Sequence, residues 1–453
     1  MFFTAAAFVR GRCALYCKRW IMDEEGYMTE QDIMNIIEDE DVEFIRLQYT
    51  DIFGSLKNMA VTPGQMEKVF AGRYSFDGSA MFGNEHYTDE RFYLYPDADS
   101  FTILPWRPQQ GKVAKIVCDV CREDGTPFEL SPRTILRRTL QSFEEQEFSF
   151  KADPECEFFL FHTDEFGLPT TVTHEKGGYM DVGPLDFGEN ARRDIVLMLE
   201  ELGFDIKASF HESAPAQHVI EFHDAEAMKM ADDIQTFRFA VRSVAKRFGL
   251  YATFMPKPRE NVAGSAMHTN FSVYEHGNNI FKDSDGVMQA EAEGFARGLM
   301  KHAKAIAAIA CPTVNSYKRL AAGFPAPQFI DFAFSGERSL VRINSDKAHV
   351  KVEFRLPDGS SNPYTLFACC IAAGIDGMND ARIKGENAVS DQTQERLPDN
   401  LREAIIALNE DELIKNVLGS EFTDIYSEIK MKEWESYMTS VSEWEINRYL
   451  GRF

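Results

Sequence analysis

The chain has 453 residues, with 48 Lys plus Arg against 72 Asp plus Glu and a formal net charge of −24. Such an acidic chain argues against nonspecific nucleic-acid binding and against anionic membrane surfaces. At 44% hydrophobic residues it has ample material for a large core and for more than one domain, and no apolar run is long enough to span a bilayer.

Residues 1–21 place an apolar stretch ahead of Arg10, Arg12, Lys18 and Arg19. That order is the reverse of a secretory signal, so the segment reads as an extended or disordered start before Met22. A helix capped by Thr29 is expected to Glu38, then a strand from Asp41 to Tyr49 and a turn over residues 51–54. Short strands and loops to about Glu123 suggest a small α+β domain over 22–124. Gly125 and Ser131-Pro132 mark a boundary, and 125–453 reads as a second, larger domain.

Within it, helices are expected at Arg192–Gly203, Ala225–Phe248 and Gln289–Ala310, with a helical tail from Asn400 to Leu450. Strands are expected at Glu157–His162, Ile206–Phe210, His218–His223, Ala252–Met255, Ser265–Tyr274 and Val350–Leu356. Cys118 and Cys121 have CxxC spacing but fall on a strand, where residues three apart face opposite sides. The eight cysteines of this long chain therefore read as buried thiols rather than a disulfide framework, which suits a reducing cytoplasm.

Glu155 and Glu157 carry the strongest chemical signal. On a strand, residues i and i+2 share a face, and two adjacent carboxylates repel unless a cation lies between them. Oxygen-rich sites of this kind suit Mg²⁺ or Mn²⁺. Glu212, His268 and Glu353 are further ligand-type residues on other strands. Neither a GxxxxGK[ST] loop nor a GxGxxG run is present, so any nucleotide is held in another way.

Eight motifs in order then make the chain resemble type I glutamine synthetase over nearly everything after Met22. They are Phe76-Asp-Gly-Ser79, Tyr95-Pro-Asp97, Asp153-Pro-Glu-Cys-Glu157, Met255-Pro-Lys-Pro258, Gly264-Ser-Ala-Met-His-Thr269, Asn315-Ser-Tyr-Lys-Arg-Leu320, Glu353-Phe-Arg355 and Asn362-Pro-Tyr364. The resemblance implies an α+β fold: an N-terminal β-grasp domain, then a catalytic domain with a curved antiparallel sheet, half a barrel, flanked by helices. It also implies a homo-oligomer of twelve subunits in two stacked rings with sites shared between neighbours.

The implied reaction makes γ-glutamyl phosphate from glutamate and ATP and releases phosphate as ammonia attacks. By the same resemblance Glu155, His268 and Glu353 would hold the cation at the ATP phosphates, and Glu157 and Glu212 the one nearer glutamate. Arg319 and Arg355 would grip substrate carboxylate and phosphate, with Gly264 allowing close backbone approach. Arg338 and Arg342 match a phosphate-contacting pair, Lys351 lies near ATP, and Asp51 and Tyr179 match an ammonium site, with Asp51 donated by a neighbouring subunit.

The pattern also breaks. Where the family follows its Gln-His pair with a third ligand glutamate, this chain has Val219, and Glu221 lies two residues on. The flap glutamate that takes a proton from ammonium is replaced in Gly323-Phe-Pro-Ala-Pro327 by Pro325. Ala263 replaces an asparagine, Asn270 a histidine and Lys351 an arginine, and Arg338 and Arg342 are four apart where the family has five. Two readings result: a ligase joining glutamate to ammonia or an amine, or a catalytically impaired paralogue that binds nucleotide and serves as a regulatory or co-assembling subunit.

Overall fold

A computed structural model describes residues 28–107, 110–321, 323–336, 338–345, 349–384 and 395–453. The expectation for residues 1–21 lies outside them. The chain divides into two compact units, Met1–Thr253 with Asn362–Ala368, and Phe254–Ser361 with Cys369–Phe453.

In the first unit, Thr29 caps helix Glu30–Asp39 through a reciprocal bond with Asp32. The strands that follow are β1 (Val42–Thr50), β2 (Leu56–Val61), β3 (Tyr74–Asp77), β4 (Arg91–Pro96), β5 (Thr102–Ile103) and β6 (Lys112–Cys121). They form a sheet of order β2-β1-β6-β4-β3, with β5 also on β6. β1 and β6 run parallel at its centre, and β1 and β2 form a hairpin around Asp51–Ser55. Stacked and edge-on rings of Phe76, Phe82, Phe92 and Phe128 fill the core beside it. Cys118 and Cys121 are buried on β6 and outside any disulfide.

Helix Pro132–Gln141 carries Arg133, which ties this sheet to the rest of the unit. Its guanidinium, nearly inaccessible to solvent, contacts Asp97, Asp119 (2.7 Å) and Asp232 (2.9 Å), and Asp232 also accepts from the Tyr364 hydroxyl (2.7 Å).

A second set of strands is built on the long β7 (Phe148–His162). β8 (Ile206–His211) pairs with β9 (Gln217–Phe222), and β9, β10 (Ala225–Glu226) and β11 (Leu250–Thr253) pair with β7, all antiparallel. Helices Glu189–Glu201 and Ala227–Arg247 bury apolar faces against them.

The second unit contains β12 (Met267–Glu275), β13 (Asn278–Asn279), β14 (Phe332–Ala333), β15 (Val341–Ser345) and β16 (Val350–Phe354). β12, β16 and β15 are successive antiparallel neighbours; β13 pairs with β12 and β14 with β15. The helix expected over Gln289–Ala310 is two helices, Ala290–Lys301 and Ala303–Ala310, divided at His302. At the break His302 is held by two carboxylates, Asp411 Oδ2 at 2.7 Å from Nδ1 and Asp376 Oδ2 at 3.1 Å from Nε2.

Helix Ala290–Lys301 crosses Pro363–Lys384 backbone to backbone. A Cβ on Gly298 would lie 1.9 Å from the Ala373 carbonyl oxygen, and one on Gly377 2.2 Å from that of Gly294. Among the described residues no helix is long and apolar enough to cross a membrane.

Candidate functional site

In the first unit the carboxylates expected to bind metal are set by strand pairing. Glu155 lies directly across from Glu221, and Glu157 directly across from Val219. Direct partners and i, i+2 neighbours share a face, so all four project from one side of the β7–β9 pair. Gln217 Nε2 donates to Glu157 Oε2 at 2.8 Å. Glu212 follows β8 at the start of the turn into β9; its N–H donates to the Gln217 carbonyl (2.8 Å), and Oε2 accepts the Ser213 N–H (3.0 Å). Burial raises the Glu212 pKa, and the nearby charge of Glu155 raises it further. A group of acids that disfavour one another's ionisation is a donor set suited to a hard cation. Val219 adds only a buried apolar side chain. Glu221 does not stand in for the ligand expected at position 219: it lies opposite Glu155, and its Oε2 pairs with Lys207 Nζ at 2.9 Å.

Asp51 is buried and committed to its own turn. Its Oδ1 accepts the N–H groups of Phe53 (3.0 Å) and Ser55 (2.8 Å), and Lys57 Nζ lies 3.3 Å from Oδ2. Burial raises its pKa against these contacts. Tyr179 is exposed, with its ring edge-on to Phe210 at 5.7 Å.

The second unit gathers His268, Glu353, Arg342 and Arg355. Across β12, β16 and β15 the residues Asn270, Glu353 and Arg342 stand abreast. Glu353 is fully buried: Arg342 Nε (2.6 Å) and Asn344 Nδ2 (2.9 Å) donate to Oε2, and Arg355 donates to Oε1 at 2.5 Å. His268 Nδ1 is 3.8 Å from Oε1. Burial, then the Arg355 charge, push His268 well below the usual histidine range. Both effects favour the neutral imidazole, the form that ligates metals. The two arginines meanwhile supply the positive charge that Glu353 needs.

Arg319 is buried and packs against Gly264. Its guanidinium donates to the Leu356 carbonyl, its Nε has no hydrogen-bond partner, and it opposes the burial-driven rise in the Asp358 pKa. A Cβ on Gly264 would fall 2.2 Å from the Pro256 carbonyl oxygen and 2.9 Å from Arg319 Cγ, so packing alone demands glycine there. Arg338 is exposed, and Lys351 is half-buried on β16 opposite Asn344.

At the flap, the Phe324 ring covers Lys257, whose Nζ lies 3.2 Å from the ring centroid and donates to the Val262 carbonyl. Burial pulls the Lys257 pKa down to about 8. Pro325 is exposed, with no proton-accepting side chain.

Sequence reasoning missed Asn344 and Gln217. Asn344 shares a face with Arg342, and i, i+2 alternation along β15 was the signal for it. It also missed a buried network of Glu175, Asp186, Arg192, His211 and His218, whose members are scattered over 44 positions of otherwise ordinary sequence.

Comparison with known proteins settles the ancestry. The family model "Glutamine synthetase, catalytic domain" matches residues 129–449, and "Glutamine synthetase, beta-Grasp domain" matches 41–123. The chain belongs to the glutamine synthetase family. It is 45% identical over 440 residues to glutamine synthetase of Clostridium saccharobutylicum, covering 94% of this chain and 99% of that one. Identity to the Staphylococcus epidermidis enzyme is 42% over the same coverage. A solved structure described as a GmaS/ADP complex superposes with a TM-score of 0.82 at 30% identity, covering 93% of this chain and 99% of that one. Plasmodium falciparum glutamine synthetase shares the fold, with a TM-score of 0.82 at 21% identity and coverage of 94% and 100%.

The glutamine synthetase-family fold is accordingly α+β, a β-grasp domain followed by antiparallel strands curled as half a barrel and flanked by helices. The activity is that of the family, an ATP- and divalent-metal-dependent ligase joining glutamate to ammonia or an amine.

Proposed function

We propose that the acceptor of this glutamine synthetase-family ligase is a weakly basic amine that arrives unprotonated. One observation carries the reading: Pro325 stands where the resemblance expects the flap's proton acceptor. Ammonium must lose a proton before its nitrogen has a lone pair to attack with, and a positioned base contributes about 10²–10⁴-fold to such a step. A neutral amine avoids that requirement. The Phe324 ring beside the vacancy adds an apolar surface that suits an organic substituent.

In this reading Arg319 and Arg355 hold glutamate, with Gly264 packed under Arg319. In the second unit His268 and Glu353 would hold the cation at the nucleotide; in the first, Glu155, Glu157 and Glu212 are the remaining expected cation ligands, short of one at Val219. Mg²⁺ or Mn²⁺ fits these donors, and either, when bound, offsets negative charge as phosphoryl passes from ATP to the glutamate carboxylate. Arg342 and Arg338 steady the phosphate, and Lys351 lies on the ATP side. For Arg342 and Arg355 to serve substrate they must give up Glu353, whose carboxylate would then be available to hold a cation. The glutamate γ-carboxylate oxygen attacks the terminal phosphorus and ADP leaves. The amine nitrogen then attacks the acyl carbon, the acyl C–O bond to phosphate breaks, and the departing phosphate carries off the proton that the nitrogen gives up, with Asp51 of a neighbouring subunit and Tyr179 lining the approach.

The assembly proposed is the family's twelve-subunit double ring, in the cytoplasm, with domains at 22–124 and 125–453. The exposed apolar residues Trp444, Ile446, Tyr449, Leu450 and Phe453 near the end of the chain support burial against other subunits.

The test is ADP release from ATP and glutamate with ammonium, alkylamines and weakly basic amines such as hydroxylamine. Turnover stimulated more strongly by the weakly basic amines supports the proposal. Ammonium as the best acceptor overturns it. Nucleotide binding without turnover on any acceptor favours the impaired, co-assembling subunit instead.

A further inference from the structure

The buried network outside the expected ligands has a geometry that constrains its chemistry. His211 is fully buried at the end of β8. Its Nδ1 lies 2.6 Å from the Glu212 carbonyl oxygen, which only accepts, so Nδ1 carries a hydrogen. Its Nε2 lies 2.6 Å from Glu175 Oε1, also an acceptor, so the ring donates from both nitrogens. Glu175 in turn accepts the N–H of Ala216, in the turn between β8 and β9, and the N–H of Phe187 at 2.9 Å. The His211 carbonyl accepts the Met180 N–H at 2.9 Å, next to Tyr179.

His218 meets the His211 ring edge-on at 5.1 Å. Its Nδ1 accepts from Arg192, which also pairs with Asp186 at 2.7 Å. Two imidazoles and two carboxylates thus converge as they do around a metal. Here, however, the Arg192 guanidinium already supplies the cation. By donating to His218 Nδ1 it leaves the hydrogen on Nε2, so that nitrogen has no lone pair to offer a metal. The charges balance internally, His211 with Glu175 and Arg192 with Asp186.

We propose that His211, clamped by Glu175, is a positioning residue that fixes the Glu212 peptide on one side and the Tyr179–Met180 segment on the other. One rigid ring thereby ties the first unit's cation ligands to the acceptor side of the site. The inference rests on the reading that Glu212 ligates a cation and Tyr179 lines the acceptor path. Gly177 supports it: a Cβ there would come 2.8 Å from His211 Nε2, so the loop leaves the ring no other space.

The test uses the full-length assembled protein and Mn²⁺ binding followed by electron paramagnetic resonance, with melting temperature and the KM values for acceptor and ATP measured in parallel. Glu212→Gln is the control for the cation reading; if it leaves Mn²⁺ binding unchanged, the ligand assignment fails independently of the positioning role. Given a response there, Glu175→Gln is expected to weaken the same class of Mn²⁺ sites about 10–100-fold, the usual effect of removing a ligand's support. The acceptor KM should rise while the ATP KM holds, and Glu175→Asp should recover part of the loss. Gly177→Ala, which displaces the ring without removing a charge, should reproduce it if Glu175→Gln fails to fold. Mn²⁺ affinity and acceptor KM within twofold of the parent in the folded variants would overturn the proposal, as would equal losses in the ATP KM. Zn²⁺ bound at the network itself, lost in His218→Gln, would also overturn it in favour of a metal centre.

Discussion

Val219 stands directly opposite Glu157 in the β7–β9 pairing, and its side chain is only 2% exposed. Val219→Glu would put a carboxylate beside Glu157 with no cation present, and like charges in direct cross-strand register are unfavourable. The variant is expected to melt below the parent without metal, to recover in Mn²⁺, and to bind Mn²⁺ at least about tenfold more tightly. Calorimetry with and without Mn²⁺, together with direct Mn²⁺ titration, checks both signs. A variant unresponsive to Mn²⁺ would show that residue 219 lies outside the cation's reach.

Pro325→Glu restores an acceptor of protons on the flap. Ammonium-supported turnover should rise by about 10² or more, with turnover on neutral amines little changed. Steady-state ADP release on both acceptors reads the difference. An equal change on both would show that the flap's stiffness, rather than its missing base, sets the rate.

His302 gives stability a pH dependence. Burial opposes its charge, but the hydrogen bonds to Asp411 and Asp376 outweigh it and raise its pKa. A raised folded-state value means its contribution is complete below the unfolded pKa of about 6.5 and is lost as pH climbs through the folded one. Asp376 and Asp411 work in the opposite sense. Burial favours their neutral forms, yet hydrogen bonds, from Lys301 then His302 for Asp376 and from His302 for Asp411, hold both below the usual range. Their contribution is present above about pH 4 and is lost on acidification. In His302→Gln the alkaline fall in melting temperature should flatten; a profile unchanged from the parent above pH 7 would refute this.

Arg133→Met should be among the most damaging single changes remote from the candidate site. It strands Asp97 and Asp232 without their shared cation, while Asp119 keeps Arg137 at 2.8 Å; the loss is about 3–5 kcal/mol for a broken buried pair. The first denaturant transition should move to lower urea, and exchanging Asp97 for Asn in the same background should return part of it.

Much of this architecture could be read from the chain. Period-two alternation placed Glu155 and Glu157 on one face of β7. The Thr29 cap fixed a helix start, and most expected strands differ from the observed ones by a few residues. What could not be read depends on partners remote in sequence. His302, at the break, meets Asp376 and Asp411, 74 and 109 residues away. The bond from Glu175 to His211 spans 36 residues, and only pairing register reveals that Glu221 serves Lys207 and cannot cover for Val219. Local pattern reports which face a side chain occupies, while tertiary register decides which neighbour it meets.

Where helix Ala290–Lys301 crosses Pro363–Lys384, main chain rests on main chain at Gly298 and Gly377. No rotamer there can move aside to absorb even a methyl group. A saturation mutagenesis screen will therefore find these two positions as intolerant as the candidate cation-binding carboxylates, for want of space alone. Fitness maps of this protein will need a folding readout alongside turnover to distinguish steric intolerance from chemistry.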